Sequence, residues 1–363
     1  MLAEEKKGMV IDMITLEQVI KELGSYDKKP IKIMEVCGTH TSSIFKHGIR
    51  SMISSKLELI SGPGCPVCVT ESAYIDKLVE YSLKENHCVL TFADMLKVRG
   101  TSMSLTEAKA VGGKVRMLYS PLAAVKLAIE EPETQFIIAA VGFETTTPIY
   151  ALIMDEVIKN QINNIRLLTS MKTILPALTY ICENEEGIDA FLCPGHVSVI
   201  TGSRIYEELV KKYHKPFVIA GFEGEHILGA VYEIVRQIND QSFHTKNLYP
   251  SVVSEEGNKK AQELIEEYFE AVDDNWREIG RIPESGLRLR EKYREYDAGS
   301  SFPVTQTEHP KGCRCRDVVL GRIHPVDCPL FYKVCTPMNA IGPCMVSTEG
   351  ACGIWYKNGG KSQ

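Results

Sequence analysis

The sequence predicts an α/β protein: two related lobes with parallel sheets flanked by helices, followed by an irregular, Cys-rich C-terminal segment. Three observations carry that expectation. Short apolar runs alternate with amphipathic stretches from residue 14 to about 240. The runs are apolar throughout rather than alternating, as strands buried on both faces are. Beyond Lys311 the pattern stops, and six of the twelve cysteines crowd into a Gly- and Pro-rich tail.

Strands are expected near Ile31–Val36, Leu57–Ser61, Cys88–Phe92, Val115–Tyr119, Phe136–Val141, Ile165–Thr169, Ala190–Cys193 and Phe217–Ala220. Between them, Glu71–Lys84, Leu122–Glu131, Ser203–Tyr213 and Glu225–Ile238 have the apolar spacing of helices covering a sheet. A faint internal similarity divides this region. IMEVCGTHT (33–41) resembles AAVGFETTT (139–147), and LISGPGCPVCVTES (59–72) resembles FLCPGHVSVITGS (191–203). LTFADMLKV (90–98) more weakly resembles VIAGFEGEHIL (218–228). The expected units are therefore a first lobe over residues 14–132 and a second over 133–254. The remainder, 255–363, reads as a helical connector and a C-terminal cluster domain. Within it, Glu255–Asp273 reads as a charged helix and residues 274–310 as a polar linker with few strand signals.

Composition narrows the function. A formal charge of −6 without Lys/Arg blocks gives no electrostatic case for nucleic acid. The longest mostly apolar stretch, Phe136–Phe143, is far short of the roughly 20 residues a membrane helix needs. The charged N-terminus MLAEEKKGMVIDM lacks the apolar core of a signal peptide, so a cytoplasmic location is expected. In a reducing compartment, twelve cysteines point to metal or redox use rather than to a disulfide framework.

The tail cysteines are Cys313, Cys315, Cys328, Cys335, Cys344 and Cys352. Only the first two are close, and tighter than a zinc pair. Widely spaced thiolates converging from loops suit a 4Fe-4S cluster, with structural zinc and unligated core cysteines as the other readings. Near the other end, Cys65-Pro-Val-Cys68 follows Gly-Pro-Gly, a spacing that permits a reversible disulfide or a tight turn of two buried thiols. Cys37-Gly-Thr-His40 follows a strand; its thiol and imidazole suit a soft metal, an activated nucleophile, or a buried hydrogen-bonded pair. Glu144 in GFETTT is a strand-end carboxylate or a helix-start carboxylate, and His196 in PGH is a site imidazole or a satisfied loop histidine. Ligands in open parallel sheets bind beyond the carboxyl ends of the strands. Two such edges face to face would make a cleft lined by Cys37, Cys65, Cys68, Glu144 and His196.

CGTHT (37–41), GPGCPVC (62–68), GFETT (142–146), PGHVSVITG (194–202) and the tail Cys328-x6-Cys335-x16-Cys352, taken together and in this order, resemble the HypD family of NiFe-hydrogenase maturation proteins. Cys344 stands where some members carry an apolar residue. The resemblance implies a scaffold for assembly of the Fe(CN)2(CO) unit. Its partners would be a HypC-type chaperone and a HypE-type cyanide donor. It also implies Cys37 as the iron ligand, Cys65 and Cys68 as the redox-active pair, and a tail 4Fe-4S cluster. The expected ligands are Cys328, Cys335 and Cys352 with Cys315 as the fourth, Cys313 and Cys344 being the alternatives. His40 would orient or activate Cys37, while Glu144 and His196 would act as hydrogen-bonding or proton-handling groups. Whether such a scaffold counts as an enzyme is left open by the sequence. The rival readings are a cluster-dependent disulfide reductase using Cys65/Cys68 and a zinc-stapled interaction module.

Overall fold

The computed structural model describes residues 14–302 and 311–359. Its strands are β1 (Ile31–Glu35), β2 (Leu57–Ser61), β3 (His87–Thr91), β4 (Val115–Met117), β5 (Gln135–Gly142), β6 (Ile165–Lys172), β7 (Ala190–Cys193), β8 (Phe217–Ile219), β9 (Thr245–Asn247), β10 (Phe269–Trp276) and β11 (Gly280–Leu289). One sheet has the order β2-β1-β7-β8-β9 and is parallel throughout. The second runs β10-β11-β6-β5-β3-β4. Its last four strands are parallel, and β11 and β10 add antiparallel at the edge. The α/β class and the eight expected strands are present. No helix among the described residues is long and apolar enough to cross a membrane.

The division of the chain differs from the expected one. After β2 it leaves the first sheet, lays down β3 to β6 in the second, and returns to build β7, β8 and β9 beside β1. A cut at residue 132 therefore separates strands of one sheet and joins strands of two. The helix Ser72–Leu83 makes the first crossing. It buries Tyr74, Ile75, Leu78 and Val79, and the Tyr74 hydroxyl donates to the Leu168 carbonyl of β6 at 2.8 Å. That apolar face binds the helix to the second sheet, something periodicity alone does not specify. Of the three internal similarities, β1 and β5 do occupy equivalent places, each beside the strand that follows it (β2 or β6). The segments at 59–72 and 191–203, however, flank β1 in one sheet, so they are not copies in separate lobes.

The stretch expected to be a helix over 255–273 forms one only over Lys259–Tyr268; β10 begins at Phe269. With β11 it makes a hairpin on the second sheet where a polar linker was expected. The charges that hid it lie on its solvent face, while Trp276 is buried and its indole N–H donates to Ser285 Oγ at 2.8 Å. Buried Lys172 anchors the hairpin, donating to Asp274 Oδ2 at 2.6 Å and to the Asn275 carbonyl at 2.8 Å. Residues 303–310 of that stretch, and the charged N-terminal thirteen, fall outside the described residues.

The tail contributes short helices at Cys315–Val319, Pro343–Val346 and Ala351–Lys357. It does not stand apart. Val318, Met345 and Trp355 share one apolar core with Val36, Val69 and Phe143 from the loops after β1, β2 and β5. Arg322 reaches Glu185 through two contacts of 2.7 Å, and the Trp355 ring meets Phe45 edge-on at 4.9 Å.

Candidate thiol and metal site

Cys37 follows β1 in extended conformation and caps the helix Gly38–Lys46. Gly64, at the mouth of the Cys-x-x-Cys loop, lies so close that a Cβ there would stand 2.5 Å from the Cys37 nitrogen. Gly38 is equally tight, its Cβ position only 2.4 Å from the Glu349 carbonyl of the tail. Two glycines thus let three segments converge on one free thiol. Cys65 and Cys68 are joined as a disulfide, with Cα atoms 5.3 Å apart, and the Cys68 N–H faces Cys65 Sγ at 3.2 Å. The disulfide lines a cavity together with Glu35, Thr41, Glu349 and Cys344.

Burial dominates the electrostatics. It pushes the Cys37 thiol up to about 11, against the opposing pull of the Thr39 and His40 backbone N–H groups at the helix start. Glu35 is buried, and desolvation raises it to about 7 although the Thr41 hydroxyl and the Cys37 N–H donate to it. Nothing in the motif reading singled out Glu35. The signal was present, since a carboxylate in the run Ile31–Val36 has no apolar reason to be there. Glu349 was missed likewise. Burial raises its carboxyl, helped by the charge of Asp94.

His40 does not turn its ring on Cys37. The imidazole is fully buried, and Nε2 donates to the Ala220 and Gly221 carbonyls at 3.3 and 3.2 Å. Burial lowers it to about 4, so the neutral ring fills this place and only its backbone N–H faces the thiol. His40 thus ties the helix start to the end of β8, which corrects the expectation of an imidazole activating the thiolate. His196 stacks on Phe222 at 4.2 Å, and the His40 ring lies 4.8 Å from the same phenyl. Glu144 sits at the end of β5 and accepts from the Ile174 N–H at 2.8 Å, at the start of the helix Ile174–Asn184. Its second oxygen is buried without a partner, and burial raises the carboxyl to about 7 despite the helix start. Burial raises the Tyr206 hydroxyl, and the charges of Cys193, Glu144 and Cys37 add to the rise.

All six tail cysteines line one pocket, with Phe331 and Met345 completing its wall. Five are buried and Cys313 is half-buried. The Cys344 thiol meets those of Cys315 and Cys352, and burial, with the charges of Cys315 and Cys328, pushes Cys313 up to about 12. No three Cys, His, Asp or Glu side chains among the described residues stand in the arrangement of a single-ion site. The chemistry of the donor set, sulfur only and in excess of four, fits a sulfur-ligated cluster. Cys344 also lines the disulfide cavity, and the Pro343 carbonyl lies 4.0 Å from Cys68 Sγ. The two thiol sites therefore share a wall.

A family profile described as HypD, hydrogenase formation hypA family, matches residues 13–359. The chain belongs to the HypD family. The HypD hydrogenase maturation factor of Escherichia coli is 39% identical over 335 residues, covering 91% of this chain and 90% of its own. That of Rhodobacter capsulatus is 37% identical over 362 residues, covering 98% and 95%. A putative hydrogenase expression/formation protein of Methanocaldococcus jannaschii is 38% identical over 350 residues, covering 95% and 98%. Membership in HypD places the chain in hydrogenase maturation, and each of these relatives aligns with nearly all of it.

Proposed function

We propose that the chain is the scaffold on which the Fe(CN)2(CO) unit of a NiFe-hydrogenase is assembled, with a HypC-type chaperone and a HypE-type cyanide donor as partners. One observation carries the reading: Gly64 brings the disulfide loop against the backbone of Cys37, which carries a free thiol. A disulfide reductase would use Cys65 and Cys68 equally well but has no need of that third sulfur.

The iron unit is cargo, and Cys37 is its ligand in this reading. A thiol pushed up to about 11 keeps its proton until a soft metal ion displaces it. The Thr39 and His40 N–H groups then face the thiolate. Releasing cyanide from a thiocyanate needs two electrons and one proton, and yields a thiol and cyanide. Cys65 and Cys68, as a dithiol, supply both electrons on closing to the disulfide and release two protons. Glu144, with an unpartnered oxygen and a carboxyl near 7, is suited to carry a proton. His196 stacks on Phe222, next to the Ala220 and Gly221 carbonyls that take the His40 imidazole. Cys328, Cys335, Cys352 and Cys315 would hold the tail cluster, and Cys313 and Cys344 are the remaining thiols of that pocket. A bound 4Fe-4S cluster would supply single electrons for reopening the disulfide.

Infrared spectroscopy of the complex copurified with its HypC-type partner tests the assignment. Cys37→Ala should keep the tail iron and lose the cyanide and CO bands. Bands of normal intensity in that variant would place the iron elsewhere.

A further inference from the structure

The tail is a positive segment of an acidic chain. Residues 311–359 carry six Lys or Arg against three Asp or Glu, a net of +3, while the whole chain stands at −6. Some of these cations gather where the sulfur pocket comes nearest to solvent. Cys313 is the only one of the six tail thiols that is not buried, and it lines the pocket beside Arg314. Lys311, Arg314 and Lys333 are all exposed. Backbone contacts bring their segments together. The Leu330 carbonyl accepts from the Lys333, Val334 and Cys335 N–H groups at 3.2, 3.2 and 2.9 Å, and a Cβ on Gly312 would touch the Leu330 side chain at 3.5 Å.

Apolar surface adjoins the cations. Met338 is 95% exposed and Val334 50%. The turn that carries Met338 is closed by two backbone bonds between Thr336 and Asn339, and the Asn339 amide donates to the Val334 carbonyl at 3.0 Å. Val334 directly precedes Cys335, a wall of the sulfur pocket. The carboxylates nearest this pocket are taken by arginines. Asp317 pairs with Arg314 at 2.8 Å and Arg322 at 3.4 Å, and Glu278 lies 3.8 Å from Arg277. A small apolar patch bordered by cations is how proteins that meet briefly to exchange an electron recognise one another. Charge steers and orients the encounter, and a small contact area lets the partner leave.

We propose that this face docks an acidic one-electron carrier protein, with Lys311, Arg314 and Lys333 meeting its carboxylates and Met338 and Val334 its apolar centre. The inference rests on the function proposed above, which calls for single electrons at the tail. Reopening the Cys65–Cys68 disulfide takes two electrons and two protons and yields two thiols. Two reduced carriers therefore dock in turn, each giving up one electron, and the protons come from solvent.

The test titrates the full-length protein, with its tail iron loaded, by calorimetry. The probe is a plant-type 2Fe-2S ferredoxin, an acidic carrier, and a basic cytochrome c is the control. Saturable one-to-one binding of the ferredoxin is expected at low ionic strength, and none of the cytochrome. High salt should weaken it at least about tenfold, because exposed charges are screened beyond roughly 10 Å at 0.1 M. The double variant Lys311→Glu/Lys333→Glu should weaken it by at least about tenfold and Met338→Ser several-fold, with tail iron and unfolding midpoint unchanged. The proposal is overturned if the ferredoxin does not bind saturably, or if the variants bind it as the wild type does. It is also overturned if sedimentation shows the variants breaking up a dimer of the chain, which would put a second copy on this face. The infrared test of Cys37 fails separately: bands lost there and no ferredoxin bound here would remove the docking face and leave the assembly reading standing.

Discussion

The two sulfur sites of this HypD-family chain are built in opposite ways. Cys37, Cys65 and Cys68 sit at the carboxyl ends of β1 and β2, and close backbone approach holds them together. A Cβ on Gly64 would meet the backbone of Val36 and Cys37, and one on Gly38 the backbone of Glu349. The tail pocket is lined by side chains from short helices and turns, and the nearest atom to a Cβ on Gly342 is the Cys313 sulfur at 2.9 Å. Secondary structure therefore positions the first site, whereas the second, in the function proposed above, depends on the cluster its sulfurs would hold. The first should tolerate loss of iron and not tolerate added bulk; the second should behave in reverse.

The largest effect expected from that contrast is on the tail. Cys335→Ala should lose most of the cluster iron and expose the segment after Lys311 to protease, because metal linkage organises small irregular segments. The two sheets should keep their far-ultraviolet circular dichroism. Full iron retention in this variant would remove Cys335 from the ligand set.

Gly64→Ala attacks the other site through its backbone. It should destabilise the protein by roughly 1–3 kcal/mol in urea unfolding, since added bulk here has nowhere to go. The Cys65/Cys68 loop should also move off Cys37, seen as faster alkylation of the Cys37 thiol, while tail iron is unchanged. Loss of iron instead would show that the two sites do not stand independently.

Glu144→Gln sharpens the comparison through pH. The carboxyl is raised in the fold from its usual 4.5 to about 7, so the folded state binds the extra proton between those values. Stability therefore falls as pH rises through that window, and the glutamine variant escapes the loss. It should be more stable than wild type by about 3 kcal/mol at pH 8 and equal to it below about pH 4.5. A constant offset at all pH values would mean that burial of the charge is not what strains this position.

Gly342→Ala is expected to have the smallest effect, below about 1 kcal/mol, because a sulfur on a side chain can yield where a backbone cannot. A cost equal to that of Gly64→Ala would erase the distinction between the sites.

Much of this chain was legible in its sequence. The eight strands of the alternating region and the cluster of tail thiols follow from local pattern, because apolar run length and residue type are local properties. So does the placement of CGTH and GPGCPVC at strand ends. The β10–β11 hairpin was not legible, since its outward charges imitate a helix and its inward residues meet Lys172 of β6 and Phe143 beyond β5, far away in the chain. The role of His40 was also misread, because a motif four residues long does not reveal that carbonyls about 180 residues away take the imidazole.

The sequence by itself determined which chemistry is available: a thiol beside a Gly-rich loop, a Cys-x-x-Cys pair and a surplus of tail sulfurs. Only the tertiary structure decided where the chain crosses between sheets and which carboxylates are buried with the thiols. It also brought one wall, at Pro343 and Cys344, to serve both the disulfide and the tail pocket. The physical reason is that these features depend on which apolar faces bury one another and on the desolvation that follows, and both are set by contacts between residues far apart in the chain.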